Sequence, residues 1–413
     1  MTVRYACVSC GAEHASDAIL YRCPRCSAAP RGSGWERGIL SVLADPERLR
    51  AAARGGAPVE ALAFLPMDVP RAEFPAGGTP LVRPSLLRES TGFPNLFFKN
   101  DTLNPSGSLK DRASLLVAAQ AIAAGERRVA LASTGNAGAS MAAAGAALGL
   151  EIVLFVPGSA PRAKLLQSLL YGARVVPVRG TYDDAFGLSI AYTEARGGVN
   201  RNTALNPFTI EGKKTASIEI WNQLGGRMPD VVYVPAGDGV ILGGVHKGFA
   251  DLVAAGLADR LPALVAVQAS GSDAIARAFR EGRHVVLDRT STIADSLSVC
   301  SPVNGEMALR CLAETGGRAV EVDDAAIGRA QIELCRSAGL FVEPSSAAAW
   351  AGFLEDRGNL DRDATVVVLL TGTGFKDVKA AEAHVTLPAP CEPRLGPALE
   401  LLEREYGIRH QQQ

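Results

Sequence analysis

One lysine stands directly before an Asp-Arg pair and behind a Ser-Gly-Ser turn, in the stretch LNPSGSLKDRAS at residues 103–114. Pro105 and Gly107 interrupt any regular element, and the run that begins at Lys110, KDRASLLVAAQAIAAG, is helix-forming. Lys110 is therefore predicted at a helix N-terminus. The helix dipole disfavours a cation there by a few tenths of a kcal/mol up to about 1 kcal/mol. In a dry cleft that position favours the neutral amine, which can attack an aldehyde and form a Schiff base. A solvated surface lysine is the competing reading of this residue taken alone, and its surroundings must decide.

Three glycine-rich segments supply those surroundings: ALASTGNAGAS, VPAGDGVILGG and LLTGTGFKD, each at the end of a predicted strand. A glycine turn between strand and helix is by itself a generic device. Together the three describe one pocket in which hydroxyls, amides and helix N-termini face a bound anion. Pyridoxal phosphate fits such a pocket. Lys110 would hold its aldehyde, and the backbone from Gly237 through Asp238, Gly239, Val240 and Ile241 would receive its phosphate. Asn136 would meet the 3-oxygen, and the Thr371 hydroxyl would face the pyridine nitrogen and leave it uncharged, which suits elimination and replacement more than transamination. A strand-end hydroxyl capping a turn is the plainer reading of Thr371. Ser133, Thr134 and Asn136 are candidate substrate contacts.

The elements that must position these residues alternate along the chain. Predicted strands are LFFK, RVALAS, EIVLFVP, RVVPVR, DVVYVPA, ALVAVQA and TVVVLLTG, separated by alanine-rich helices such as AGASMAAAGAALG, RAKLLQSLLYGA and VHKGFADLVAAG. Continuous apolar strands between helices imply a parallel sheet covered on both faces, hence a doubly wound α/β architecture. In such sheets the ligand lies beyond the carboxyl ends of the strands. The expected organisation is a zinc-ribbon-like module at 1–32, a large cofactor-binding domain from 33–111 and 201–385, a smaller α/β domain at 112–200, and a C-terminal tail at 386–413 ending in HQQQ. A Pro/Gly/Ala-rich arm beginning APRGSGWERG is expected to join the module to the rest.

Forty-two basic residues balance 43 acidic ones among 413, and no basic block marks a nucleic-acid surface. No apolar run reaches the length of a membrane span and the N-terminus has no apolar signal core, so a cytoplasmic location is expected. Four of the eight cysteines are clustered as Cys7-x2-Cys10 and Cys23-x2-Cys26. Two such knuckles can close a tetrahedral site, so structural zinc is expected, remote from the chemistry. The other four, Cys300, Cys311, Cys335 and Cys391, read as small hydrophobes.

KNDTLNPSGSLKDRAS, STGNAGAS, FVEPSSAAAWAG, LLTGTGFKD and the CVSCG...CPRC ribbon together resemble the fold-type II pyridoxal-phosphate enzymes, and among them the threonine synthases. The resemblance runs from residue 5 to about 385. It implies the same roles for Lys110, Asn136 and Thr371, and a reaction in which O-phospho-L-homoserine and water give L-threonine and phosphate. It also implies a homodimer and an amino-acid substrate as the partners. The sequence departs from the pattern at NPFTIEGKKT, where Thr209 occupies the place of an arginine that would meet the substrate phosphate. A hydroxyl brings no charge to that contact, so Lys213, Lys214, Arg162 and Lys164 become candidate replacements, and Thr209→Arg is expected to improve turnover. Asp238 stands where asparagine is common, and its side chain is expected to turn away from a cofactor phosphate. Alternatives remain: β-replacement on O-phosphoserine in the manner of cysteate synthase, a threonine or serine ammonia-lyase, or a silent binding protein that keeps the pocket.

Overall fold

The computed structural model describes residues 2–27 and 34–408. The first part of the expected arm and the HQQQ terminus lie outside the described residues. The chain opens with a small antiparallel sheet, in which β1 (Val3–Cys7) pairs with β2 (Glu13–Ser16) on one side and β3 (Leu40–Val42) on the other. β4 (Leu81–Val82) and β5 (Leu96–Asn100) then form one edge of a six-stranded sheet. The chain leaves that sheet to build a second one from β6 (Arg128–Ala132), β7 (Glu151–Pro157), β8 (Arg174–Val178) and β9 (Val199–Asn200), all parallel in the order β8-β7-β6-β9. It returns with β10 (Val231–Pro235), β11 (Ala263–Ala269), β12 (Arg318–Val322) and β13 (Val366–Leu370), completing the order β12-β11-β10-β13-β5-β4. Only β4 runs antiparallel in the larger sheet.

Helices cover both faces of the larger sheet, and successive side chains on a strand point to opposite sides and are buried on both. Val231 and Tyr233 pack with Phe98, Trp350 and Phe353, whereas Val232 and Val234 pack with Leu264, Val245 and Phe249. This double burial explains the unbroken apolar runs. All seven predicted strands are present. The small sheet β1–β3 was not predicted, and in the two larger sheets the missed strands are short or lie at an edge: β4 and β9 have two residues each, and β12 (RAVEV) carries Arg318 and Glu321 within it. The stretch expected to be a tail contains a helix, Leu395–Tyr406, with no fully buried residue.

Strand order reverses direction between β10 and β13 in the larger sheet and beside β6 in the smaller one. Those two switch points are where a doubly wound sheet leaves a crevice. The segments following β6, β10 and β13 are STGN, AGDG and TGTG.

Candidate active site

Helix Lys110–Ala123 begins where the sequence predicts, and its first turn is held from three directions. Gly107 (φ +85°) lets the chain pass so close to the loop after β13 that a Cβ there would lie 2.8 Å from Thr373 Cγ2. Across this contact Leu109 N–H donates to the Thr371 carbonyl at 2.8 Å, and Thr373 N–H donates to the Gly107 carbonyl at 3.0 Å. The Asp111 carboxylate accepts from the Ser106 hydroxyl at 2.5 Å and the Ser106 N–H at 2.6 Å. Arg112 is fixed by Asp101 at 2.6 Å and Glu219 at 2.7 Å, and Lys99 also pairs with Glu219 at 2.6 Å. The two residues after Lys110 are thus locked into buried networks that aim the lysine between them and the turn. Lys110 itself has no carboxylate partner among the described residues. Burial brings its amine down to about 8, and the Arg201 charge acts in the same direction against Glu343 and Asp238. An ammonium that loses water and gains no counter-ion gives up its proton early.

Lys110 lines a cleft of about 1300 Å³ together with Ser133, Thr134, Asn136, the Gly237–Ile241 segment and Thr371. Helix Val240–Ala254 presents its N-terminus to this cleft. Its cap is Gly239 (φ +84°) and makes no side-chain capping bond, so the first amides of the helix remain available to an anion. Glycine is required at 239 for packing as well, because a Cβ would lie 2.7 Å from the Asn304 carbonyl. Asn136 begins helix Asn136–Leu148, and its amide donates to both carboxylate oxygens of Glu343, at 3.1 and 2.9 Å. It must release one of these bonds to serve another acceptor. The Thr371 hydroxyl lies 3.1 Å from Ser346 Oγ, which also accepts from the Thr371 and Gly372 N–H groups at 2.9 and 2.8 Å.

Asp238 fulfils its expectation in part. One carboxylate oxygen accepts from Val303 N–H at 2.6 Å, yet the residue stays on the cleft wall. Burial raises its pKa to about 7, against the pull of Lys110 and Lys213.

Two tentative substrate contacts are not on the wall. Thr209 is completely buried, its hydroxyl donating to the Asn206 carbonyl at 2.7 Å and accepting from Ala204 N–H at 3.2 Å. Lys213 is also fully buried, and its amine donates to the Thr209 carbonyl. The local reason is that residues 208–214 coil into a short helical run packed beneath helix Val240–Ala254, where a Cβ at Gly244 would meet Lys213 Cβ at 2.6 Å. Lys214 is bound to Glu211 and Asp251, and Lys164 to Asp295 at 2.7 Å. Arg162 is exposed at the start of its helix. Thr209→Arg, attractive from sequence, is therefore expected to lower the melting temperature by several degrees and to leave substrate affinity no better. A larger charged side chain placed there overfills the core and finds no counter-ion. Thermal unfolding and steady-state kinetics on the one variant check both parts.

Other residues at the site escaped the sequence reading. Glu343 was in plain view within FVEPSS, without a sign of its contact to Asn136. Arg201, a lone arginine after a two-residue strand, gave no signal. The amino-terminal module, expected to be remote, supplies Tyr21 and Arg22 to the cleft wall, and Glu36 just beyond its expected boundary joins them. It comes this close because the Tyr21 hydroxyl accepts from the N–H of Asn200 at 2.8 Å, at the end of β9. The four cysteine sulfurs lie within 4.8 Å of one another.

A family model described as pyridoxal-phosphate dependent enzyme matches residues 72–372. The chain is 34% identical over 383 residues to the threonine synthase of Methanosarcina acetivorans, covering 90% of this chain and 91% of the relative. It is 34% identical over 389 residues to that of Methanocaldococcus jannaschii, covering 91% and 93%. Among solved structures, maize serine racemase superposes with a TM-score of 0.66 at 22% identity, covering 83% of this chain and 96% of that one. A fungal L-serine ammonia-lyase from Rhizomucor miehei gives 0.64 at 22% identity, covering 75% and 97%. At such identities the superpositions speak for the fold.

Proposed function

The chain belongs to the pyridoxal-phosphate dependent enzymes, as a threonine synthase-like member with the fold-type II architecture, and from that premise we propose that it converts O-phospho-L-homoserine and water to L-threonine and phosphate. The observation that carries the reading is the amine of Lys110, brought to about 8 inside a cleft shared with an uncapped helix N-terminus and Thr371. These residues fit the cofactor. The free amides at Gly237–Ile241 suit its phosphate, Asn136 its 3-oxygen, and the Thr371 hydroxyl its ring nitrogen. When bound, pyridoxal phosphate supplies an electron sink for charge developing on the amino-acid carbons.

The protein's own groups do the rest. A lysine that is half neutral near pH 8 can take a proton from Cα or Cβ and return it, so Lys110 is the natural carrier for both transfers. Ser133, Thr134 and Asn136 stand at the start of a helix, where hydroxyls and amides can orient the substrate carboxylate. Phosphate leaves from Cγ and water adds at Cβ, so the balance is one water consumed and one phosphate released. Phosphate release from a panel of O-phosphohomoserine, O-phosphoserine, threonine and serine, with ammonia followed in parallel, tests the assignment. Preferred turnover of O-phosphoserine, or ammonia from unphosphorylated serine or threonine, would replace it.

We assign the four-cysteine module a structural zinc. The Cys7–Cys26 and Cys10–Cys23 sulfurs are 3.7 and 3.8 Å apart. The edge of a tetrahedron whose four sulfurs each lie about 2.3 Å from a central zinc is about 3.8 Å. The division into a larger body bearing β4, β5 and β10–β13 and a smaller one bearing β6–β9 is part of the same reading.

Asp238 gives the reading a pH signature. Its carboxyl, held up to about 7 by burial, is neutral below that value and ionises above it, next to the amides assigned to the cofactor phosphate. Cofactor retention is expected to weaken as pH rises through about 7, and Asp238→Asn is expected to flatten the dependence. The same shift bears on stability. Between an unfolded carboxyl near about 4 and the folded value near 7 the native state holds the extra proton, so this group's contribution falls as pH rises through that window. Equilibrium dialysis of cofactor against pH for both proteins is the measurement.

A further inference from the structure

Five lysine and arginine side chains are buried among the described residues, and with the half-buried Lys110 on the cleft wall they divide into two groups. Lys99, Arg112 and Lys214 each hold a carboxylate, at 2.6, 2.6 and 2.7 Å. Lys110, Arg201 and Lys213 hold none among the described residues. Arg201 is the most exceptional of these because it is fully buried; burial lowers its pKa to about 10, against Tyr182 and Asp111, and the guanidinium still carries its charge at neutral pH. A buried cation with no carboxylate in direct contact is costly to keep, which leaves it able to hold an anion.

The partners of Arg201 are few. Its backbone N–H donates to the Ala130 carbonyl at 2.8 Å, which places it at the carboxyl end of β9 beside β6. One terminal nitrogen donates to Thr203 Oγ1 at 2.7 Å, and the other lies 3.5 Å from Ser114 Oγ. Ser114 is one helical turn beyond Lys110, on the same face of the helix. The guanidinium Nε is buried with no hydrogen-bond partner. Thr203, which lines the cleft, accepts from Arg201 and has no acceptor for its own hydroxyl proton among the described contacts. The charge thus lies one hydroxyl behind the wall, and that hydroxyl is free to donate into the cleft.

We infer that Thr203, backed by the Arg201 guanidinium, is the receptor for the phosphate group of a phosphorylated amino-acid substrate. This rests on the reaction proposed above and deepens it. The sequence lost its arginine at Thr209, and the structure supplies another from the end of β9, reaching the cleft through Thr203. Thr203 makes the contact, and Arg201 acts through it as a positioning and polarising residue. The pair also narrows the substrate class, since serine and threonine carry no group that would use it.

The test uses holoenzyme, in which the cofactor's own phosphate occupies its amides, and inorganic phosphate as the probe. Calorimetric binding of inorganic phosphate is expected to weaken by about tenfold or more in Thr203→Val and by no more than that in Arg201→Gln, with partial recovery in Arg201→Lys, as loss of a charge-assisted hydrogen bond implies. Cofactor content should be unchanged, and KM for O-phosphohomoserine should rise more than kcat falls. Thr203→Val keeps the shape of the side chain, so it reports even where an Arg201 variant fails to fold. Wild-type affinity for inorganic phosphate in Thr203→Val, with an unchanged KM, would overturn the inference. If the native enzyme releases no phosphate from O-phosphohomoserine while phosphate binding still depends on Thr203, the reaction assignment falls and the anion site stands.

Discussion

Replacement of Lys110 by alanine is expected to abolish turnover, by about 10⁴-fold or more, while leaving a folded protein. The loss combines the covalent hold on the cofactor with the proton carrier, and general acid-base catalysis alone is worth about 10² to 10⁴. Folding should survive because the helix start does not depend on this side chain. Asp111 is tied to Ser106 and Arg112 to Asp101 and Glu219, whereas Lys110 contributes no ion pair among the described residues. Removing a buried amine without a carboxylate partner takes away a desolvation cost, so the cofactor-free variant should melt no lower than the cofactor-free parent. The checks are borohydride treatment followed by denaturation, which should leave cofactor on the parent chain and none on the variant, and paired melting curves. Cofactor fixed to the Lys110→Ala chain after reduction would refute the assignment of the lysine.

The contrast between Lys110 and Thr209 shows what a sequence can and cannot disclose. The helix start at Lys110 was readable because Pro105, Gly107 and the alanine-rich run that follows are local signals, and local signals fix where an element begins. The apolar strands were readable for a related reason: burial on both faces leaves an unbroken run of Val, Ile and Leu. At Thr209 the sequence showed a substitution within a recognisable motif but not its depth. Residues 208–214 lie beneath helix Val240–Ala254 because Gly244 and Gly248 permit that approach, a long-range contact no local pattern encodes. Arg201 was hidden for the opposite reason. Its importance comes from having no ion-paired carboxylate among the described residues, with Asp111 acting on it only from a distance, and that arrangement is visible only in three dimensions. Glu343 lay between the two cases, present in a motif whose partner, Asn136, is 207 residues away in the chain.

Stripping metal from the four-cysteine module is expected to remove activity in step with the metal, contrary to the remote role its sequence position suggests. The module has few means of holding its shape without one. Its buried apolar residues are Tyr5, Cys7, Cys23, Leu40 and Val42, while Val8, Trp35 and Ile39 pack into the core of the larger sheet, so what remains is a core too small for independent stability at this chain length. It is nevertheless joined to the cleft at several points. Tyr21, between the two knuckles, accepts from Asn200 N–H at 2.8 Å, one residue before Arg201. Arg22 and Glu36 pair at 2.8 Å and stand on the cleft wall. Ser9, in the first knuckle, donates to Glu306, and the Val8 carbonyl accepts from Arg310, both on helix Gly305–Glu314. That helix follows directly on Val303 and Asn304, whose N–H groups bind Asp238 at 2.6 and 3.1 Å. Loss of the metal would therefore loosen both the end of β9 and the support of the cofactor loop. With a chelator present, metal content and phosphate release should decay with the same half-time, KM should rise before cofactor absorbance falls, and added zinc should restore both. Full activity after complete metal loss would show that the module keeps its place on the cleft wall through protein contacts alone.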